Sequence, residues 1–116
     1  MKVIIAGSRT FNNYSDLKRK VSSILKNQKD ITIISGTANG ADRLGERYAN
    51  ENHYNLEQYP AMWDIFGKKA GYMRNEEMAK VADACIVFWD GKSRGTKHMI
   101  DIAKKYKLKL RIKIGR

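Results

Sequence analysis

The stretch Val3-Ile4-Ile5-Ala6-Gly7-Ser8-Arg9 begins with a continuous run of β-favouring apolar residues, Val3 to Ala6. This run ends abruptly at Gly7. The same pattern recurs at Ile31-Thr32-Ile33-Ile34, which stops at Ser35-Gly36, and at Ala84-Cys85-Ile86-Val87-Phe88, which stops before Asp90-Gly91. Short apolar runs closed by glycine turns are typical of parallel strands that are buried on both faces. We therefore predict that these three runs form the centre of a parallel sheet.

Helical patterns separate these strands. The helices are expected to begin after Ser15 as an N-cap, near Ala41, from about Gly71 and from about Thr96. A weaker strand is predicted over Asn55–Tyr59. The resulting order, β-α-β-α-β-α-β-α-β, folds through right-handed crossovers into an open sheet with helices on both faces. The sequence thus predicts one α/β domain over residues 1–116, a Rossmann-like three-layer α/β/α fold with a five-stranded, mainly parallel sheet.

The last predicted strand has a different pattern. Apolar and basic residues alternate strictly along it: Lys107, Leu108, Lys109, Leu110, Arg111, Ile112, Lys113 and Ile114. A period of two with one charged face is typical of a half-exposed strand at the edge of a sheet, where lysines also prevent edge-to-edge pairing. We expect this strand to close one side of the sheet.

The formal net charge of +11 is concentrated in that same region. Seven of the 23 lysines and arginines lie in the last 13 positions, which contain no acidic residue: Lys104, Lys105, Lys107, Lys109, Arg111, Lys113 and Arg116. An edge strand explains why most of these basic residues are present. Their positive charge also attracts polyanions. Weak nucleic-acid binding through the basic C-terminal strand is therefore left open.

Several function classes are excluded by composition. A single cysteine, Cys85, cannot form an internal disulfide, and one cysteine with two histidines does not make a zinc site. No apolar run is long enough to span a membrane, and the first residues lack the apolar region of a signal peptide. We expect a cytoplasmic protein with no membrane partner, no bound metal and no obligatory cofactor.

Glycine, hydroxyl and basic side chains follow three of the predicted strands, in the loops Gly7–Thr10, Ser35–Asp42 and Trp89–Thr96. In a doubly wound sheet, ligands bind beyond the carboxyl ends of the strands, at the point where strand order reverses. Glycine allows close approach of a phosphate, helix N-termini favour anions, and arginine adds a bidentate donor. The helix starts after Gly36–Gly40 and at Gly95-Thr96 are therefore candidate anion seats. The first and third loops are expected to face each other across one crevice.

Two further candidates lie between the third and fourth strands. The long connection from Pro60 to Ala70 is predicted to be irregular, and connections of that length are often functional. Trp63 within it is expected either to stack on a base or to pack in the core. Arg74 and Asn75, near the start of the following helix, are candidate phosphate and ribose contacts.

Taken together, these segments resemble the SLOG superfamily, and most closely its small stand-alone YspA-like branch. The resemblance covers nearly the whole chain and rests on the order and spacing of six motifs. These are Gly7-Ser8-Arg9, Ser35-Gly36 through Gly40-Ala41-Asp42, Pro60-Ala61-Met62-Trp63, Ala70-Gly71-Tyr72-Met73-Arg74-Asn75 with Met78, Ala82-Asp83, and Gly91-Lys92-Ser93-Arg94-Gly95-Thr96.

The resemblance implies a pocket for nucleotides or nucleotide-derived molecules, including ADP-ribose-like and NAD-derived signals. It gives phosphate-loop positions to Gly36, Gly40, Gly95 and Thr96, and places Arg74 where the related lonely-guy phosphoribohydrolases have an arginine near the scissile bond. Those hydrolases carry a glutamate three residues after the threonine, whereas this sequence has Met99. Because methionine cannot activate water, a hydrolase would need another carboxylate, Asp42 or Asp90. Relatives often pair, so a homo-oligomer is expected.

We therefore predict a module that binds a phosphate-bearing nucleotide ligand and senses or sequesters it, and we leave open whether it is an enzyme. The alternatives are a nucleotide or N-glycosidic hydrolase with a substituted carboxylate, and a single-stranded nucleic-acid binder like the related DNA-processing protein A. The predicted ligand-binding residues are Gly7, Ser8, Arg9, Ser35, Gly36, Thr37, Gly40, Ala41, Asp42, Trp63, Arg74, Asn75, Asp90, Gly91, Ser93, Gly95 and Thr96.

Overall fold

A computed structural model describes residues 1–114, and all five of its strands form one parallel sheet. The strands are β1 (Lys2–Gly7), β2 (Thr32–Ser35), β3 (Asn55–Gln58), β4 (Ala84–Trp89) and β5 (Lys109–Ile114). Their order across the sheet is β3-β2-β1-β4-β5, with every neighbouring pair parallel. The predicted Rossmann-like α/β fold is confirmed, and the sheet is wholly parallel rather than mainly so.

Helices cover both faces of this sheet. They are α1 (Tyr14–Ile24), α2 (Ala41–Glu51), α3 (Trp63–Phe66), α4 (Ala70–Val81) and α5 (Arg94–Lys105). On one face, α1 and α2 pack over a core that includes Val3 and Ile5, and on the other, α4 and α5 pack over Ile4 and Ala6. Alternate residues of β1 therefore point into two separate cores, which is why its sequence is apolar without interruption.

The connection from Pro60 to Ala70 is more regular than predicted. It forms α3 and then a 3-10 turn over Gly67–Lys69. The carbonyl of Met62 accepts hydrogen bonds from the backbone N–H groups of Ile65 and Phe66, which closes the single turn of α3. Gly67, with φ of 58°, then ends it. Local backbone bonds and one glycine thus replace the irregular loop that the sequence indicated.

Two helix starts also differ from the prediction. The N-cap of α1 is Asn13 rather than Ser15, because the Asn13 side chain accepts a hydrogen bond of 3.0 Å from the Asp16 backbone N–H. Helix α5 begins at Arg94 rather than at Thr96, because Ser93 caps it. Both shifts follow from a side chain that satisfies an otherwise free N–H in the first helical turn.

The apolar stripes predicted for α4 and for the last strand are only partly buried. Met78 is 1% exposed and packs in the core, but Met73 on the same helix is 38% exposed. On β5, Leu110 packs against the core, whereas Ile112 is 41% and Ile114 is 66% exposed. The edge position of β5 is confirmed, but its apolar face is covered only over the first half of the strand. Of the basic tail, Arg116 lies outside the described residues.

The strand order reverses between β1 and β4, since the chain runs outward to β2 and β3 on one side and returns to β4 and β5 on the other. The two strands pair in register from Val3 with Ala84 to Gly7 with Phe88. Their carboxyl ends therefore lie side by side at the switch point, where this class of sheet binds ligands. Within residues 1–114, no helix has both the length and the apolarity needed to cross a membrane.

Candidate functional site

Ser8 ties together the three loops that the sequence singled out. Its backbone N–H donates to the carbonyl of Phe88 at 2.9 Å, and its own carbonyl accepts from the Ala41 N–H at 3.3 Å. Its hydroxyl, only 3% exposed as a residue, accepts from the backbone N–H of Asp90 at 2.9 Å. The loops after β1, β2 and β4 are thus one connected unit. Ser8 holds that unit together rather than presenting its hydroxyl to the crevice.

Glycine is required where these loops approach each other. Gly40 has φ of 80°, and a Cβ added there would lie 2.3 Å from the carbonyl oxygen of Ser8 and 2.5 Å from that of Arg9. At Gly7 a Cβ would lie 2.2 Å from the carbonyl oxygen of Phe88. Both glycines therefore allow backbone to pack on backbone at the point where β1, β4 and the start of α2 meet.

An inner cavity of about 70 Å³ opens at the carboxyl ends of β1 and β4. Gly7 and Arg9 line one side and Ser93, Gly95 and Thr96 line the other, so the structure places the first and third loops across one crevice, as the strand order predicts. The floor is apolar and includes Met99, at the position where the hydrolase relatives carry glutamate.

An outer cavity of about 320 Å³ continues from the inner one. The two share Arg9, Ala38 and Arg74, and the outer one is also lined by Gly36, Thr37, Asn39, Pro60, Ala61 and Trp63. Trp63 is 48% exposed, so it lies in the wall of the crevice and not in the core. The site therefore has a small polar inner chamber and a larger outer chamber with an exposed aromatic ring.

The N-terminus of α5 forms one wall of the inner chamber and is suited to an anion. Ser93 caps it by accepting from the Thr96 backbone N–H at 3.5 Å, and the first turn contains no acidic residue. Within residues 1–114, no hydrogen bond engages the backbone N–H groups of Arg94 and Gly95. Free N–H groups and the helix dipole together favour a negative charge at this position.

The N-terminus of α2, the other predicted anion seat, differs because it already carries an acid. Asp42 lies in its first turn, and its Oδ2 accepts a hydrogen bond of 3.1 Å from the Ala38 backbone N–H. The backbone N–H of Thr37 is bound by the Ser35 hydroxyl at 3.0 Å. A second anion would meet the Asp42 carboxylate, so α5 provides the better electrostatic position for a phosphate.

Burial raises the pKa of Asp42 to about 6, although the Ala38 N–H and the positive charge of Arg74 act in the opposite direction. Asp42 is 5% exposed, so the ionised carboxylate is poorly solvated. The side chain is therefore a carboxyl group that titrates close to neutral pH inside the crevice.

This raised pKa predicts how stability depends on pH. Between the ordinary pKa of 3.8 and about 6, the folded protein holds a proton that the unfolded chain has released, so the free energy of unfolding falls as pH rises through this window. Asp42→Asn keeps an acceptor for Ala38 and carries no charge. We expect it to gain about 2–3 kcal/mol relative to the wild type between pH 4 and pH 8, measured by denaturant unfolding. A difference that stays constant with pH would contradict this assignment.

Arg74 is half-buried between the two chambers and is held in place by its neighbours. Its Nη1 donates to the carbonyl of Gly36, and its Nε donates to the Asn75 Oδ1 at 3.0 Å. Burial lowers its pKa, while the charge of Asp42 raises it. Asn75, which is 5% exposed, donates in turn to the carbonyl of Gly95 at 3.3 Å. Asn75 thus connects the arginine to the N-terminal turn of α5.

Arg9 is exposed and lies at the boundary of the two chambers, close enough to Arg74 for its charge to lower the Arg74 pKa. Within residues 1–114, neither arginine forms an ion pair with a carboxylate, whereas Arg19, Arg43 and Arg47 all do. The crevice therefore contains two cationic side chains that form no direct ion pair, and the nearby carboxylate of Asp42 acts on Arg74 only through its charge.

Three predicted site residues have structural roles at the rim or behind the loops. Asp90 is exposed and accepts from the backbone N–H groups of Lys92 and Ser93, both at 2.8 Å, and these bonds lower its pKa. Gly91 is exposed at the adjacent turn, and neither residue lines the chambers. Ser35 is fully buried and bonds to Glu46. Of the two candidate catalytic carboxylates, only Asp42 faces the crevice.

Glu46 lies beside the site but was not predicted from the sequence. This residue is 8% exposed on α2, and its carboxylate accepts from Ser35 at 2.7 Å, Gln58 at 3.1 Å and Arg43 at 2.9 Å. Burial tends to raise its pKa, but these hydrogen bonds outweigh burial and lower it. Its spacing from Asp42, one helical turn, is the only sequence signal that could have placed it beside the loop.

Comparison with known proteins identifies the family. Residues 1–66, more than half of the chain, match the model of the YspA, cpYpsA-related SLOG family. The chain belongs to this family. The matched part of this SLOG protein runs from β1 to α3 and contains the loops Gly7–Thr10 and Ser35–Asp42. A relative, the Gene 61 protein of Mycobacterium phage D29, is 33% identical over 111 residues, covering 90% of this SLOG chain and 89% of the phage protein.

Two solved structures share the SLOG fold seen here. DNA processing protein A (DprA) from Streptococcus pneumoniae superposes with a TM-score of 0.77 at 20% identity, over 99% of this chain and 50% of that one. DNA processing protein A from Helicobacter pylori, solved to describe its single-stranded DNA binding mode, gives 0.70 at 23% identity, over 100% of this chain and 66% of that one. This SLOG chain thus spans half of one and about two thirds of the other.

Proposed function

We propose that this protein binds a small nucleotide in the crevice between β1 and β4. The observation that carries the proposal is the inner chamber itself. It brings together the start of α5, where the backbone N–H groups of Arg94 and Gly95 have no hydrogen-bond partner within residues 1–114, and two cations, Arg74 and Arg9, neither of which forms an ion pair there. Helix N-termini and arginine forks are the two donors that proteins use most for phosphate groups.

The outer chamber supports a nucleotide over a simple phosphate. Its volume of about 320 Å³ falls in the range of small-molecule sites, and the exposed ring of Trp63 in its wall offers a stacking surface for a base. The arginines shared by the two chambers would lie between base and phosphate. Loops held by Ser8 fix the chamber in place before a ligand arrives. Sensing or sequestering the nucleotide is the role that fits such a preformed site.

Thermal unfolding with a ligand panel tests the proposal. A nucleotide at one hundred times its dissociation constant stabilises the folded state by about 2.7 kcal/mol. For a domain of this size that raises the unfolding midpoint by about 10 °C. The panel contains AMP, ADP, ATP, NAD and ADP-ribose, with adenosine as the control that lacks a phosphate. We expect at least one nucleotide to raise the midpoint and adenosine to leave it unchanged. Equal shifts with adenosine, or none with any nucleotide, would contradict the proposal.

Single-stranded nucleic acid is a second candidate ligand, and the exposed basic face of β5 favours it. Lys109, Arg111 and Lys113 alternate along this edge strand, and within residues 1–114 none of them pairs with an acid. A short DNA oligomer in the same panel distinguishes the two surfaces. Its affinity should fall with salt at roughly −0.7 per neutralised phosphate on a log-log plot. Reversing the three charges should abolish the oligomer shift and leave the nucleotide shift intact.

A further inference from the structure

One carboxylate oxygen of Asp42 accepts a hydrogen bond from the protein, and the other does not. Its Oδ2 is held by the Ala38 backbone N–H at 3.1 Å. Its Oδ1 receives no hydrogen bond from any group within residues 1–114. An ionised carboxylate offers about four acceptor positions, so a side chain that is 5% exposed and uses only one of them lacks donors.

The free oxygen is not sealed inside the protein. Among residues 1–114, every side-chain nitrogen or oxygen that is fully shielded has a hydrogen-bond partner. Oδ1 therefore has access to open space, and the space that Asp42 lines is the inner chamber. A buried acid thus presents an unused acceptor to the volume in which the phosphate of the proposed nucleotide would lie.

The charge and position of Asp42 Oδ1 determine which chemical group of a ligand can contact it. A phosphate is repelled by the carboxylate, so the group must be a hydrogen-bond donor. Asp42 lines the inner chamber, which at about 70 Å³ also contains the start of α5, and it does not line the outer chamber, which has room for a base. The donor is therefore next to the phosphate along the ligand. In a nucleotide the sugar occupies that position, and the donors that it offers are its neighbouring 2- and 3-hydroxyl groups.

We propose that Asp42 accepts a hydrogen bond from the 2,3-diol of a ribose phosphate, so that the site selects ribose over 2-deoxyribose. This inference rests on the proposed function, and it adds which sugar the same site prefers. A carboxylate that accepts a sugar hydroxyl is how dinucleotide-binding sheets of related topology recognise ribose. In this protein the carboxylate comes from the first turn of α2, on the opposite wall of the chamber from the start of α5.

The experiment compares two probes without a base, ribose 5-phosphate and 2-deoxyribose 5-phosphate, by NMR titration of the whole chain at pH 8, where Asp42 is ionised. A hydrogen bond to a charged group corresponds to a preference of about tenfold or more. We expect ribose 5-phosphate to bind the wild type at least tenfold more tightly. We expect Asp42→Asn to reduce that ratio several-fold, because a neutral amide oxygen accepts a weaker hydrogen bond than a carboxylate, while inorganic phosphate binds at least as well as before.

Glu46→Gln is the matched control, because Glu46 is also a buried acid on α2 but does not line the chamber. The ratio of the two affinities should be unchanged in this variant. Equal binding of the two sugar phosphates by the wild type, or no binding of either, would overturn the inference even if nucleotides bind. A ribose preference that is undiminished in Asp42→Asn would overturn it as well. The wild-type ratio does not depend on whether any variant folds. Absence of nucleotide binding altogether would overturn the proposed function.

Discussion

Replacing Arg74 with alanine is expected to weaken nucleotide binding by about 10- to 100-fold. Hydrogen bonds to a charged group contribute about 1.5–3 kcal/mol, and each 1.4 kcal/mol corresponds to a factor of ten in affinity. Arg74 lies where the inner and outer chambers join, so its guanidinium is the cation placed to meet the link between phosphate and sugar. Isothermal titration with the nucleotide that gives the largest thermal shift measures the effect.

Two further variants separate charge from geometry. Arg74→Lys keeps the positive charge but loses the planar fork, so its affinity should fall between those of the wild type and Arg74→Ala. Arg47→Ala is the matched control, because Arg47 pairs with Glu51 at 2.9 Å on the far side of α2 and lies over the ring of Tyr14. It should bind like the wild type. If Arg74→Ala bound the nucleotide with wild-type affinity, Arg74 would not be part of the binding site.

Gly40→Ala is expected to destabilise the fold by about 3 kcal/mol or more, which lowers the unfolding midpoint by about 12 °C. Two effects combine at this position. The backbone has φ of 80° and ψ of −127°, which residues with a Cβ rarely adopt. The added Cβ would also lie within 2.5 Å of the carbonyl oxygens of Ser8 and Arg9, and these atoms belong to backbone that the rest of the fold holds.

Gly91→Ala is the control for a positive φ without the close approach of the loops. Gly91 has φ of 82°, close to that of Gly40, but a Cβ there meets no atom within 4 Å. This variant should lose only about 1 kcal/mol, the usual cost of a left-handed conformation for alanine. Thermal and denaturant unfolding of both variants give the comparison. Equal losses would show that backbone conformation, and not the close approach of the loops, makes glycine necessary at Gly40.

Much of the fold could be predicted because a parallel sheet imposes a strong pattern. β1 and β4 are covered on both faces, so every residue from Val3 to Ala6 had to be apolar, and the run is visible without a structure. The same topology places the loops after β1 and β4 beside each other. The crevice could therefore be predicted from strand order alone, together with Arg74 through the family resemblance.

The parts that could not be predicted depend on contacts between distant residues. Ser8 looked like a phosphate contact, but its hydroxyl is used by the backbone of Asp90, which is 82 positions away. Glu46 is buried only because Ser35 and Gln58 meet it from two strands. Ile114 alternates correctly for a buried face, yet it is 66% exposed at the end of the edge strand β5. None of these contacts leaves a local sequence pattern.

The ties made by Ser8 have a consequence for how such a site changes over evolution. Loops that are cross-linked by backbone groups are preorganised, so the ordering entropy of the inner chamber is lost during folding and is not lost again on binding. Trp63 is outside this arrangement, since it is exposed and lines only the outer chamber. If the site binds a nucleotide as proposed, substitutions of Trp63 would change which base is preferred without loosening the phosphate seat. Recognition of the anion and recognition of the base are free to diverge separately.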